Sequence, residues 1–173
     1  ACLVGSEMCI RDRLTDHYNP ANKTVNLSED VYDTCSVAAA AVAAHECGHV
    51  IQHARGYVPI TIRTALVPIV NFASRLSMPL ILIGLILGYV GLAKIGVVLF
   101  CGVLIFQLVT LPVEFDASAR AMRVLDSLGI LYGEEIKGAR KVLTAAALTY
   151  VAAVVSTALQ VFRLVLLINN RRD

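Results

Sequence analysis

Three long apolar runs constrain this chain more than any other feature of its sequence. They cover residues 76–93, 95–111 and 142–161, and as helices they are each about long enough to cross roughly 30 Å of hydrocarbon. Hydrophobic residues make up 57% of the chain and charged residues 16%, and the mean hydropathy is +0.71. We therefore predict a mainly α-helical integral membrane protein with about three transmembrane helices.

The segments between the runs predict where the chain enters and leaves the membrane. Residues 57–78 contain two prolines and two arginines and should lie at the membrane surface. The first two runs should form a hairpin that turns around residues 91–94. Pro112 should end the second span and begin a separate helix over residues 113–128, outside the hydrocarbon. A polar stretch over residues 132–141 should precede the third span.

The first thirteen residues, ACLVGSEMCIRDR, differ from the rest of the chain. They show no strand or helix period, and their charges follow the apolar residues instead of preceding them as in a signal peptide. We interpret residues 1–13 as a non-native segment and residues 14–173 as a single domain.

Net charge argues against nucleic-acid binding, and the cysteine spacing argues against a zinc ribbon or a disulfide framework. A net charge of +2 is too small to favour a nucleic-acid partner, and no basic stretch carries interleaved aromatic residues. The five cysteines match neither a zinc ribbon nor a disulfide framework. We interpret them as free thiols.

An Ala-rich stretch, residues 36–52, predicts one helix with Ser36 as its N-cap. On this helix His45 and His49 lie one turn apart on the same face, so that one metal ion can bind both imidazoles. Glu46 directly follows His45 and can reach the same place. This is the H-E-x-x-H pattern of zinc-assisted peptide hydrolysis.

The residue types of this motif suit catalysis by a metal-activated water. A catalytic zinc takes three protein ligands and leaves its fourth position to water, whose pKa it lowers to about 7. Glu46 would accept the proton of that water and pass it to the leaving amine. Two histidines on a helix can also be satisfied by backbone groups, but the added carboxylate and the apolar remainder of the helix favour a metal site.

The third metal ligand must come from elsewhere in the chain, and five side chains are candidates: Glu114, Asp116, His53, His17 and Cys47. His53 ends a row of histidines that is about 12 Å long on the helix, which is too long for one zinc to bind all three. Cys47 points away from the face of His45. His17 lies in a turn-rich segment, where a surface histidine is the simpler interpretation.

Glu114 is the expected third ligand. It directly follows the second apolar run, where a carboxylate needs a stabilising partner, although the helix dipole also favours a carboxylate in a first turn. Asp116 points to a different face and can pair with Arg120 four residues further on. A hairpin of two spans returns the chain to the side on which it started, so we expect Glu114 on the same side of the membrane as His45.

Four stretches of the chain together resemble the YugP-type membrane zinc metallopeptidase family of bacteria. They are LTDHYNP at 14–20, LSEDVY at 27–32, AAHECGH at 43–49 and LPVEFDAS at 111–118. The resemblance covers residue 14 to the C-terminus and implies a zinc-dependent integral membrane peptidase. It also implies a further membrane span before residue 14, which agrees with a shortened N-terminus.

The chain is more distantly similar to the heat-shock (HtpX) and CAAX-processing membrane metallopeptidases. In those families the third ligand is the Glu of a Glu-x-x-x-Asp motif, whose Asp orients a ligand histidine. Glu114 matches that Glu, but Ser118 stands at the position of the Asp. A hydroxyl can bond to an imidazole without supplying a charge, so Asp116 is kept as a residue that supports or replaces Glu114 at the metal.

These observations predict a zinc-dependent membrane metallopeptidase that hydrolyses peptide bonds of a peptide or protein substrate in contact with the lipid bilayer. His45, His49 and Glu114 would bind Zn²⁺, and Glu46 would act as general base and acid. The alternatives are an intramembrane-cleaving protease and a non-catalytic metal-binding membrane scaffold. The alternating residues 24–28 predict an edge strand that could hold a substrate backbone.

The positive-inside rule predicts the orientation of the chain in the bacterial plasma membrane. Arg171 and Arg172, which follow the last span, argue for the reverse orientation, but most basic residues lie on the side of His45, so we expect the active face in the cytoplasm. Those on the side of His45 are Lys23, Arg55, Arg63, Arg75, Arg120, Arg123, Lys137, Arg140 and Lys141, and those on the other side are Lys94, Arg171 and Arg172.

Overall fold

The computed structural model describes the backbone of residues 7–10 and the whole of residues 16–170. Apart from the backbone of residues 7–10, the segment interpreted as non-native lies outside the described residues, and that interpretation stays a prediction. Three strands precede five helices in the described chain: β1 Glu7–Ile10, β2 His17–Asn19, β3 Thr24–Leu27, α1 Glu29–Tyr32, α2 Val37–Ala54, α3 Val58–Ile86, α4 Val90–Ser127 and α5 Glu134–Asn169.

Three of the helices, α3, α4 and α5, are long and apolar enough to cross a membrane. Helices α4 and α5 extend beyond both ends of the apolar runs that predicted them, and α3 begins well before its run but ends at Ile86, because the charged or proline-containing flanks are also helical. The predicted fold class, a mainly α-helical membrane protein with about three such helices, is confirmed.

The predicted position of the hairpin turn is wrong. Helix α3 ends at Ile86 and α4 begins at Val90, so the chain turns before residues 91–94. The turn contains Gly88 at a φ of 74°, a left-handed conformation that glycine adopts without steric cost. Lys94 lies in the first turns of α4, where a long side chain can extend its ammonium group towards the helix end.

Pro112 does not end a helix, which corrects a second prediction. Helix α4 continues through Pro112, and α3 contains both Pro68 and Pro79. In hydrocarbon each unpaired backbone group is costly, so an apolar helix that has lost one hydrogen bond at a proline is still more stable than an irregular chain. The predicted separate helix over residues 113–128 is the second half of α4, and the predicted polar stretch over residues 132–141 is mostly the start of α5.

The chain forms two compact units, the first of which comprises residues up to 61 and residues 112–148. In its three-stranded sheet β3 is central and pairs in parallel with β1 and antiparallel with β2. The strand predicted over residues 24–28 forms over Thr24–Leu27, but the prediction that it is an edge strand is wrong. Its alternate residues Val25 and Leu27 are buried and pack with Val50 of α2.

Small side chains let α2 pack closely against α4 and α5. The predicted N-cap of α2 is confirmed, since the Ser36 hydroxyl accepts a hydrogen bond from the Ala39 N–H. The helix backbones approach closely at Gly48, where a methyl group would lie 2.5 Å from the carbonyl oxygen of Ala117 in α4. A buried cluster then continues away from this crossing: Ala41, Ala44, Ala121, Leu125, Leu131, Ala139 and Leu143.

The second unit, residues 62–111 and 149–173, has its own apolar core and its own close helix contacts. A methyl group on Gly84 of α3 would lie 2.5 Å from the backbone of Ala93 in α4, and one on Gly96 of α4 would meet Ile81 and the backbone of Ser77 in α3. Small residues at such positions let membrane helices associate by van der Waals packing. The core consists of Ile81, Ala93, Val97, Leu164 and Ile168.

We predict that Gly48→Ala destabilises the first unit. The added methyl group must displace the backbone of Ala117, and overpacking of this kind costs about 1–3 kcal/mol. Unfolding of the purified protein in detergent measures the change. Gly102→Ala in α4 is the matched control, because a methyl group there meets no atom within 4 Å. Equal stabilities of the two variants would contradict the close approach of α2 and α4.

Candidate metal centre

Two helices of the first unit bring three potential metal ligands together. His45 and His49 project from α2 one turn apart, and Glu114 projects from α4. Their ligating atoms all lie within 4.8 Å of one another. The crossing at Gly48 and Ala117 explains this proximity, because Gly48 precedes His49 and Ala117 lies one helical turn after Glu114.

The distances between the donor atoms suit one tetrahedral ion. The Glu114 Oε2 atom lies 3.2 Å from His45 Nε2 and 3.8 Å from His49 Nε2. Ligands bound to zinc at 2.0–2.1 Å with tetrahedral angles are about 3.3 Å apart. The two imidazole rings stand edge to face with centroids 4.8 Å apart, which directs both Nε2 atoms to the carboxylate without a clash between the rings. The geometry therefore fits two nitrogen ligands and one oxygen ligand.

Because the Glu114 carboxylate is buried, it needs a positive charge nearby. Glu114 is 2% exposed and His49 is 7% exposed. Transfer of an isolated carboxylate out of water is very unfavourable unless it is paired or binds a metal ion. A divalent cation held by the two neutral imidazoles and Glu114 would supply that charge.

Glu46 interacts electrostatically with His45 and Glu114 and is itself buried, with 7% of its surface exposed. Burial raises the pKa of the Glu46 carboxyl, while the charge of a protonated His45 lowers it and the charge of Glu114 raises it further. The backbone N–H of Tyr18 in β2 donates a hydrogen bond to the Glu46 carboxylate. Strand β2 therefore contacts α2 at Glu46, in addition to the packing of β3 against Val50.

The other candidates for the third ligand have different surroundings. The Asp116 carboxylate accepts a hydrogen bond from Arg120 at 2.6 Å, as its sequence spacing predicts. His17 accepts a hydrogen bond from the Asn26 side chain across the sheet, and the ring of His53 lies 5.3 Å from that of Tyr18. Cys47 is disulfide-bonded, so its interpretation as a free thiol is wrong.

The free-thiol interpretation holds for two other cysteines of the described chain. Cys35 is free and exposed, and Cys101 is free and partly buried. Neither lies among the potential metal ligands.

Two further polar contacts involve the ring nitrogens that face away from Glu114. The Ser118 hydroxyl lies 3.2 Å from His45 Nδ1, so the side chain at the expected Asp position does reach the imidazole. The Gln52 Oε1 atom lies 2.9 Å from His49 Nδ1. We did not anticipate Gln52 from the sequence, although its position three residues after His49 on the same helix is one that brings side chains together.

Comparison with known proteins shows the family to which the chain belongs. The chain matches a family model described as "putative neutral zinc metallopeptidase" over residues 7–169. It is also 45% identical over 164 residues to the "putative membrane protease YugP" of Bacillus subtilis (strain 168), which covers 95% of the chain and 73% of that relative. The chain belongs to this zinc metallopeptidase family. No solved structure matches it significantly.

Family membership and the donor set agree on the cofactor. The family is a zinc peptidase family, and the structure brings together two histidines and a buried glutamate that could hold Zn²⁺. The relative is a membrane protease by name, and three helices of the described chain could span a bilayer. The resemblance noted in the sequence is therefore confirmed at the level of the family.

We predict that Glu114→Ala loses zinc whereas Asp116→Ala retains it. The first substitution removes one of three donors, and the second leaves all three in place. The zinc content of each purified variant after gel filtration, measured against the wild-type protein, distinguishes the two. Loss of zinc from Asp116→Ala alone would assign the third ligand to Asp116.

Proposed function

We propose that the protein is a zinc-dependent membrane metallopeptidase that hydrolyses peptide bonds in peptide or protein substrates. One observation carries the proposal: the buried Glu46 carboxyl interacts electrostatically with His45 and Glu114, two of the three side chains whose donor atoms lie within 4.8 Å of one another. Pure metal binding needs the three donors but has no need of a second buried acid in addition to Glu114.

Each of the four residues has a defined part in the reaction. His45, His49 and Glu114 would hold a zinc ion, which when bound would lower the pKa of a water molecule to about 7 and polarise the substrate carbonyl. Glu46 accepts the proton of the attacking water and then protonates the nitrogen of the leaving amine. Its burial favours this exchange, because a raised pKa brings a carboxyl group closer to the operating pH, where it can both accept and release a proton.

We further propose that the active face lies on the cytoplasmic side of the bacterial plasma membrane. Exposed basic residues concentrate in the parts of α4 and α5 that belong to the first unit, among them Arg123, Arg140 and Lys141. The turn between α3 and α4 is followed by one basic residue, Lys94. The bias of Lys and Arg near the ends of the helices favours this orientation.

We predict that Glu46→Gln keeps its zinc but loses peptide hydrolysis. The amide preserves the size of the side chain and removes the proton acceptor, and general acid–base catalysis contributes roughly 100- to 10,000-fold to rate. The value of kcat/KM on a peptide library, together with the zinc content of the same preparation, measures both effects. Glu135→Gln is the matched control, because Glu135 is exposed in the first turn of α5 and should leave the rate unchanged.

The same assays distinguish the alternative functions. A non-catalytic metal-binding scaffold would bind zinc but show no hydrolysis even in the wild-type protein. An intramembrane-cleaving protease would cleave membrane-embedded segments and leave soluble peptides intact. Undiminished hydrolysis by Glu46→Gln would exclude Glu46 as the general base.

A labelling experiment tests the proposed orientation. Tyr132 lies between α4 and α5 and is 70% exposed, and Tyr89 lies between α3 and α4 and is 65% exposed. In a background with the native cysteines replaced by serine, we expect a membrane-impermeant thiol reagent to label Tyr89→Cys but not Tyr132→Cys on intact cells. Inverted vesicles should give the opposite pattern. Labelling of Tyr132→Cys on intact cells would reverse the orientation.

A further inference from the structure

Gln52 is a fully buried polar side chain whose every polar hydrogen has a partner. It is 0% exposed. Its Nε2 atom donates to the Val113 carbonyl oxygen at 2.8 Å and to the Asp116 carboxylate at 2.8 Å, and its Oε1 atom lies 2.9 Å from His49 Nδ1. A buried amide with a complete set of partners has one stable orientation, because reversal would leave several of them unsatisfied.

The chemistry of the partners determines which way the amide points. A backbone carbonyl and an ionised carboxylate can only accept hydrogen bonds, so the NH₂ group of Gln52 must face Val113 and Asp116. Its oxygen must then face His49. Since that oxygen can only accept, His49 Nδ1 must carry a proton and donate it to Gln52.

We propose that Gln52 is a positioning residue that holds His49 in the tautomer required for metal binding. With the proton held on Nδ1, the unprotonated Nε2 atom points towards Glu114, from which it is 3.8 Å away. A neutral imidazole binds a metal ion through its unprotonated nitrogen, and the bond made by the other nitrogen sets which one that is. The inference rests on the zinc site of the proposed function but does not depend on peptide hydrolysis.

Gln52 also connects the two helices that carry the ligands. It belongs to α2, and its two acceptors, Val113 and Asp116, lie on either side of Glu114 in α4. The same amide therefore contacts the ligand His49 directly and also holds the segment of α4 that carries the ligand Glu114. Asp116 is restrained in turn by Arg120, whose guanidinium stacks over the ring of Tyr57 at 5.7 Å. Asp116 thus acts through Gln52 and does not need to touch the metal.

The hydrogen bond between Ser118 and His45 does not fix the tautomer of His45. Its Nδ1 atom contacts the Ser118 hydroxyl at 3.2 Å, and a hydroxyl can donate or accept according to its rotation. Ser118 is therefore compatible with either tautomer of His45. We therefore expect that loss of Gln52 weakens zinc binding more than loss of Ser118 does.

Zinc affinity measured by chelator competition tests the proposal. Gln52→Met keeps the length of the side chain but cannot accept from His49 or donate to α4, and we expect zinc to bind about 10- to 100-fold more weakly. Ser118→Ala should have a smaller effect. Gln107→Met is the matched control, because it makes the same exchange at a partly buried position in the other compact unit and should leave zinc affinity unchanged.

A direct measurement of the imidazole separates positioning from a general loss of stability. In ¹⁵N spectra of zinc-free protein at about pH 8.5, two units above the ordinary histidine pKa, wild-type His49 should carry its proton on Nδ1. In Gln52→Met the Nε2-protonated form should appear, while Gln107→Met should match the wild type. A wild-type His49 protonated on Nε2 alone would overturn the proposal. Unchanged zinc affinity in a folded Gln52→Met variant would also overturn the proposal. Both outcomes are independent of whether the protein hydrolyses peptides.

Discussion

The close contact between Gly48 of α2 and Ala117 of α4 is the constraint on which the metal centre depends. The ligands come from two helices, and a zinc ion holds its ligands only about 3.3 Å apart. Glu114 and the two histidines reach this separation because no side chain stands between the helix backbones at their crossing. A methyl group on Gly48 would have to displace the backbone of Ala117, which belongs to the helix that carries Glu114.

The buried carboxylate of Glu114 at this helix crossing imposes an electrostatic requirement. A carboxylate that is 2% exposed is stable only with a compensating charge. The polar groups around it are arranged so that both imidazoles present Nε2 towards that carboxylate, with Gln52 and Ser118 behind them. The arrangement therefore directs two ring nitrogens and a carboxylate oxygen towards one point, where a cation would supply the compensating charge.

Much of the fold and most of the site could be predicted because the relevant patterns are local. The spacing of His45 and His49 on an Ala-rich helix places two nitrogens on one face whatever the rest of the chain does. Apolar runs of membrane length similarly predict helices. The errors lie at the ends of those helices. Pro112 was expected to break a helix by a rule drawn from chains in water, whereas in an apolar run the cost of unpaired backbone keeps the helix intact.

The sequence by itself determined the family, the zinc cofactor, the membrane helices and the two histidines, because each depends on residue type and short-range spacing. Only the tertiary structure decided which acid meets those histidines, which strand contacts Glu46, and that Gln52 joins His49 to α4. Local spacing favours Glu114, since Asp116 points to a different face and can pair with Arg120, but it does not fix which face of α4 meets α2. The rotation of α4 about its own axis directs Glu114 towards His45 and Asp116 towards Gln52, and packing against α2 sets that rotation.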